Sequence, residues 1–63
     1  MENIKERVNK IIERNKKEIQ RSKGMLEISY IDNELKSFYK TKIHEREMAI
    51  RDLETILIML GDK

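Results

Sequence analysis

Between Asn3 and Ser22 the apolar residues Ile4, Val8, Ile11, Ile12 and Ile19 recur at steps of three and four. Each helical residue turns the chain by roughly 100°, so such steps line one face of a helix. The pattern predicts a first helix over about 3–22. Continuing the rhythm from Val8 and Ile11 places Asn15 on the same stripe, where one polar residue among apolar ones can set helix register. Gly24 follows Arg21, Ser22 and Lys23 and precedes Met25. Cations in a last turn, glycine just past it and an apolar residue beyond are signals of a helix end. Ser29 with Asp32 makes a Ser-x-x-acid cap for a following helix, so the turn is predicted over about 24–28.

From there to Leu60 no breaker intervenes. Ile31, Leu35, Phe38 and Tyr39 begin a stripe that Ile43, Ile50, Leu53, Leu57 and Leu60 continue, and the second helix is predicted over about 30–60. At 1.5 Å per residue it would reach about 46 Å, against about 30 Å for the first. With neither Pro nor Gly near Lys40 to Lys42 to kink it, a straight arm is expected over a folded-back third segment. Gly61 ends the helix, leaving Asp62 and Lys63 as a tail. The fold class expected is all-α: one two-helix antiparallel hairpin domain covering 1–63.

Ile56, Leu57, Ile58, Met59 and Leu60 are five consecutive apolar residues and so point to every side of a helix. One neighbouring helix covers one face only, so this tip predicts burial against another chain. A second copy related by a two-fold axis is the simplest choice, giving a homodimeric four-helix bundle.

Composition agrees. The chain has 63 residues, 41% charged and 38% hydrophobic, with no Cys, Pro or Trp, the balance of coiled coils and long helices. A chain this short, with no disulfide available, gains most from association. The absence of cysteine fits a reducing compartment. Glu2, Asn3, Ile4 and Lys5 do not read as a signal peptide, and no apolar run suits a membrane span; a cytoplasmic protein is expected. Net charge is only +2, but residues 1–23 carry eight basic and four acidic groups and residues 24–63 carry six and eight. The halves are electrically complementary.

Catalytic chemistry finds little to use. His44 is the sole histidine, and Glu45 and Glu47 point around the helix rather than joining it as ligands. Thr41 precedes His44 by three residues, a spacing that recurs by chance in any helix. Asp32 with Glu34, and Glu45 with Asp52, read as solvating groups and ion-pair partners of Lys36, Lys42 and Arg51. No enzyme, cofactor, metal or small-molecule substrate is expected. Arg7, Lys10, Arg14, Lys17 and Arg21 gather on one flank of the first helix over about 21 Å. They offer contact with nucleic acid or with an acidic partner, and Glu47 and Glu54, beside the seam of the second helix, could pair with them across packed helices.

A dimer of helical hairpins resembles, in architecture and length, the small RNA-binding hairpin proteins that control plasmid copy number. Ser29, Tyr30, Ile31 and Asp32 resemble, one residue short, the Ser-Gln-Glu-Leu-Asp signature of short helix-loop-helix phosphatases acting on sporulation response regulators; that likeness implies a role for Asp32 with Ser29. The residues themselves favour a non-enzymatic interaction protein, a regulator, inhibitor or assembly factor. Its expected protein-contact residues are Leu35, Phe38, Ile43, Ile50, Leu53, Ile56, Leu57 and Leu60, with Ile31 extending that seam and Ile4, Val8 and Ile11 opposite. An RNA- or DNA-binding hairpin is the first alternative, a phosphatase-like regulator the second.

Overall fold

The computed structural model of the chain describes residues 2–28 and 30–61. They form two helices, α1 (Ile4–Leu26) and α2 (Asn33–Met59), packed as an antiparallel hairpin. Both starts are capped by side chains. The Asn3 Oδ1 accepts from the Glu6 backbone N–H, and the Asp32 Oδ1 accepts from that of Leu35, each at 2.8 Å. Each satisfies one of the backbone donors that a helix start leaves unpaired. At the far end Gly61, φ 80°, takes the left-handed conformation expected of it.

The turn lies later than expected. Gly24 does not terminate α1; the helix runs through it to Leu26 and is capped at Glu27. Met25 and Leu26 are half-buried, and covering them offsets the roughly 1 kcal/mol that a helical glycine costs relative to alanine. Asp32, not Ser29, caps α2; Ser29 itself, like Asp62 and Lys63, lies outside the described residues. Backbone bonds between residues three apart bind the connection together, from the Glu27 N–H to the Gly24 carbonyl at 3.2 Å and from the Ile31 N–H to that of Ile28 at 3.3 Å.

α1 has 23 residues and α2 has 27, so the arms reach about 34 and 40 Å and the large overhang expected of the second is absent. α2 is continuous through Lys40 to Lys42, the straight arm.

The α1 seam is Val8, Ile12, Asn15, Ile19 and Ser22, spaced four, three, four, three. Ile12, rather than Ile11, therefore carries the stripe, and Ile4 stands 66% exposed. Leu57 is buried against Val8 and Ile12, with Ile50 and Leu53 packed beside them. Those three α2 residues, expected at a contact with another chain, thus belong to the hairpin's own core. Their neighbours Ile56, Ile58, Met59 and Leu60 stay exposed.

The helical Gly24 yields a direct check. A Cβ there meets nothing within 4 Å, so Gly24→Ala is expected to raise stability in urea or thermal unfolding by about 0.5–1 kcal/mol, while Asp32→Ala lowers it by about 1 kcal/mol. A destabilising Gly24→Ala would mean that α1 ends earlier.

Candidate functional site

Two contacts across the seam set how the helices face each other. In the middle, the Arg46 Nη1 donates to the Asn15 Oδ1 at 3.0 Å, while the Asn15 Nδ2 donates to the Ile11 carbonyl at 3.0 Å. Asn15 is only 6% exposed, and an unpaired amide there would cost about 1–3 kcal/mol. Arg46 therefore answers the register expectation attached to Asn15. It occupies the position between Ile43 and Ile50 that a three-four rhythm demands; the gap in the apolar stripe was the signal that could have found it. By this register Ser22, at 2% the most buried of the described residues, lies level with Tyr39, whose ring meets Phe38 edge-on at 5.1 Å.

The second contact marks a flank. Lys42 Nζ lies 3.5 Å from Glu18 Oε2, and Glu18 Oε1 is 3.2 Å from Arg21. Residues seven apart drift by only about 20° around a helix, so steps of seven from this pair name the rest of the flank. On α1 they give Ile4, Ile11 and Met25; on α2, Leu35, Ala49 and Ile56. Phe38 and Leu60 border the α2 row. Ile4, Leu35, Phe38, Ile56 and Leu60 are 41 to 66% exposed, and Ile11, Met25 and Ala49 are half-buried. At the turn, Met25, Ile28, Ile31 and Leu35 line a shallow pocket with Tyr30 and Asp32. Lys42 also sits over the Phe38 ring, 5.9 Å from its centroid. One face of the hairpin is thus apolar at both ends and charged at its middle. Each helix carries two apolar stripes side by side, the width seen in bundle helices with two neighbours rather than one.

The opposite flank is polar except at its open end, where Ile58, one turn beyond Glu54, stands 72% exposed. The same period places Asn9, Lys16 and Lys23 there on α1, and Lys40, Glu47 and Glu54 on α2. Glu47 and Glu54 are therefore on the wrong side to meet Arg7, Lys10, Arg14, Lys17 and Arg21. Those five are all exposed on the outer side of α1, next to the apolar face and away from the seam. Lys10 pairs with Glu2 and Arg21 with Glu18; Arg7, Arg14 and Lys17 make no ion pair among the described residues.

His44 and Thr41 are exposed, and among the described residues no group of three His, Cys, Asp or Glu side chains could hold a metal ion. Nor is any helix among them long and apolar enough to cross a membrane. Asp32 is committed to its cap. The chain matches no protein-family model, no curated protein and no solved structure.

The buried polar pair can be weighed by a double-mutant cycle. Asn15→Ala and Arg46→Ala are expected to cost about 1–2 kcal/mol each in chemical denaturation, with a coupling of about 0.5–1.5 kcal/mol. Strict additivity would mean that the two side chains do not meet in solution.

Proposed function

We propose that this chain is a non-enzymatic helical interaction protein, a small regulator, inhibitor or assembly factor whose working surface is the apolar face built on Ile4, Ile11, Phe38, Ile56 and Leu60. A second copy is its first partner, giving a four-helix bundle, and a protein target is engaged by the assembled surface. The absence of cysteine suits a reducing, cytoplasmic setting.

The observation that carries the reading is the pair of uncovered heptad rows on one side of a folded hairpin. Magnitudes support it. A compact 7.6 kDa monomer exposes about 4300 Å², whereas this hairpin exposes 5325 Å². The excess is similar to the roughly 800 Å² that each partner buries in a standard interface. The radius of gyration, 14.6 Å, likewise exceeds the roughly 10.6 Å of a compact chain of this length. Long exposed rows of Ile, Leu and Phe are stabilised when another surface covers them, by about 25 cal/mol per Å² of apolar area before the costs of association.

A nucleic-acid-binding hairpin is the second reading. It is favoured by the exposed row Arg7, Arg14 and Lys17, without ion pairs among the described residues and spaced to follow a phosphate backbone. Its own requirement is an affinity that falls steeply with salt.

Sedimentation equilibrium is expected to give twice the chain mass at micromolar concentration. Ile11→Asp with Ile56→Asp should reduce this to a monomer, because each would bury an unpaired carboxylate in the interface. Helix content should largely survive in the variant, since the Val8, Ile12 and Leu57 core is untouched. A wild-type chain that remains monomeric at every accessible concentration would refute self-association.

A further inference from the structure

The charge pattern beside the apolar face determines how a second copy would sit on it. This inference rests on the self-association just proposed. Two hairpins can pack face to face in two ways related by a two-fold axis. An axis parallel to the helices sets α1 against α2 of the second copy, with both turns at one end. An axis perpendicular to the helices, lying in the face, sets α1 against α1 with the turns at opposite ends.

The border of the face differs between the helices. Along α1 it is basic, with Arg7 and Arg14, and Lys10 and Lys17, each seven apart. Along α2 the corresponding border is Phe38, Glu45 and Asp52, also seven apart. Glu45 helps to line a shallow depression with Phe38, Lys42, Ala49 and Arg46, the last held inward by Asn15, on the same side of α2 as the apolar row. All these charged groups are exposed, and Glu45 and Asp52, like Arg7, Arg14 and Lys17, make no ion pair among the described residues.

The geometry points to an isologous dimer whose two-fold axis runs parallel to the helices, with the α1 basic border of each copy laid against the α2 acidic border of the other. The register needed is already present within one chain. Asn15 is level with Arg46 and Glu18 with Lys42, and a rotation about an axis parallel to the helices preserves height. Asp52 of the second copy then falls between the levels of Arg7 and Lys10, and Glu45 between those of Arg14 and Lys17. At the centre, Glu18 and Lys42 of the two copies alternate in a four-membered ring of charges, so this charged level of each face meets its complement. The apolar open ends meet each other, as do the apolar turn ends. The hairpin as a whole extends 45 by 20 by 15 Å, so its broad side is of the size on which a standard interface forms.

The perpendicular axis has none of these matches. It sets two basic borders together and two acidic borders together, and like charges side by side disfavour that pairing. If it passes at the Glu18 level it also leaves the longer open ends overhanging the shorter turn ends. The self-complementarity belongs to one chain, which is why a second copy, rather than an unrelated acidic protein or a nucleic acid, is the occupant assigned.

Sedimentation equilibrium on the wild type comes first; a monomer there overturns this inference together with the reading beneath it. Given a dimer, Glu45→Lys with Asp52→Lys should weaken self-association by about tenfold or more at low salt, as should Arg14→Glu with Lys17→Glu. Mixing Glu45→Lys/Asp52→Lys with a variant carrying Arg7→Glu, Lys10→Glu, Arg14→Glu and Lys17→Glu should restore a dimer at least tenfold tighter than either alone. A nitroxide on Tyr30→Cys, at an 88% exposed site next to the turn in a chain without cysteine, reads the geometry independently. The expected inter-label distance is below about 30 Å, two or three helix diameters, whereas turns at opposite ends place it near the 45 Å length of the hairpin. A stable dimer indifferent to the charge reversals, or with the long distance, refutes this arrangement while leaving self-association standing. Arginine variants that lose binding to a nucleic-acid duplex but dimerise as before would assign the basic row to the second reading instead.

Discussion

A helix in a two-helix hairpin has one neighbour and so can bury one stripe. Every other feature of this chain follows from that restriction. Its inward stripe holds Val8, Ile12 and Ile19 on α1 and Leu57, Leu53 and Ile50 on α2, a small core for 63 residues whose ordering costs roughly 1.5 kcal/mol each. Most of the exposed isoleucines and leucines are not scattered. Ile4 and Ile11 on α1 and Leu35 and Ile56 on α2 form a second stripe beside the first, on the same flank of both helices, which one neighbour cannot reach, while Ile58 stands exposed on the other side.

Polar groups decide the alignment that makes the second stripe continuous. Apolar side chains of similar size accept one another as neighbours, so an apolar seam alone specifies register less strongly than a polar pair does. Asn15 and Arg46 form such a pair: moved by one turn, each would lose its partner and remain partly buried. The Glu18–Lys42 pair reinforces the same register from the flank. That alignment brings Ile4 alongside Ile56, Ile11 alongside Ala49, and Met25 alongside Leu35. A buried polar contact thereby sets the shape of an exposed apolar surface, which is where the proposed association acts.

Much of the fold was legible in the residue pattern. Two amphipathic periods, the absence of proline and the left-handed Gly61 account for two helices, a straight second arm and its end. The turn was misplaced because Gly24 and Ser29 carry strong local signals, while the burial of Met25 and Leu26 and the Asp32 cap act through the packed state. The interaction face was legible only as a surplus of apolar residues. Ile11 and Ile12 both fit a helical stripe, and Leu57 sits within a run that is apolar all round. Nothing in a period alone says which of these turns inward.

The sequence by itself determined that the chain is helical, that it folds once upon itself, and that it holds more apolar surface and more segregated charge than a hairpin can use. These are properties of spacing and composition, carried by the backbone's own period of about 3.6 residues. Only the tertiary structure decided which residues spend that surplus: Ile12 over Ile11 in the seam, Leu57 within and Ile56 without, and Glu47 and Glu54 on the flank away from the basic row. The reason is that two helices have a rotational freedom about their axes that local propensity does not touch. It is removed when particular side chains meet across the gap between them, Val8 and Ile12 on Leu57, Asn15 on Arg46 and Glu18 on Lys42.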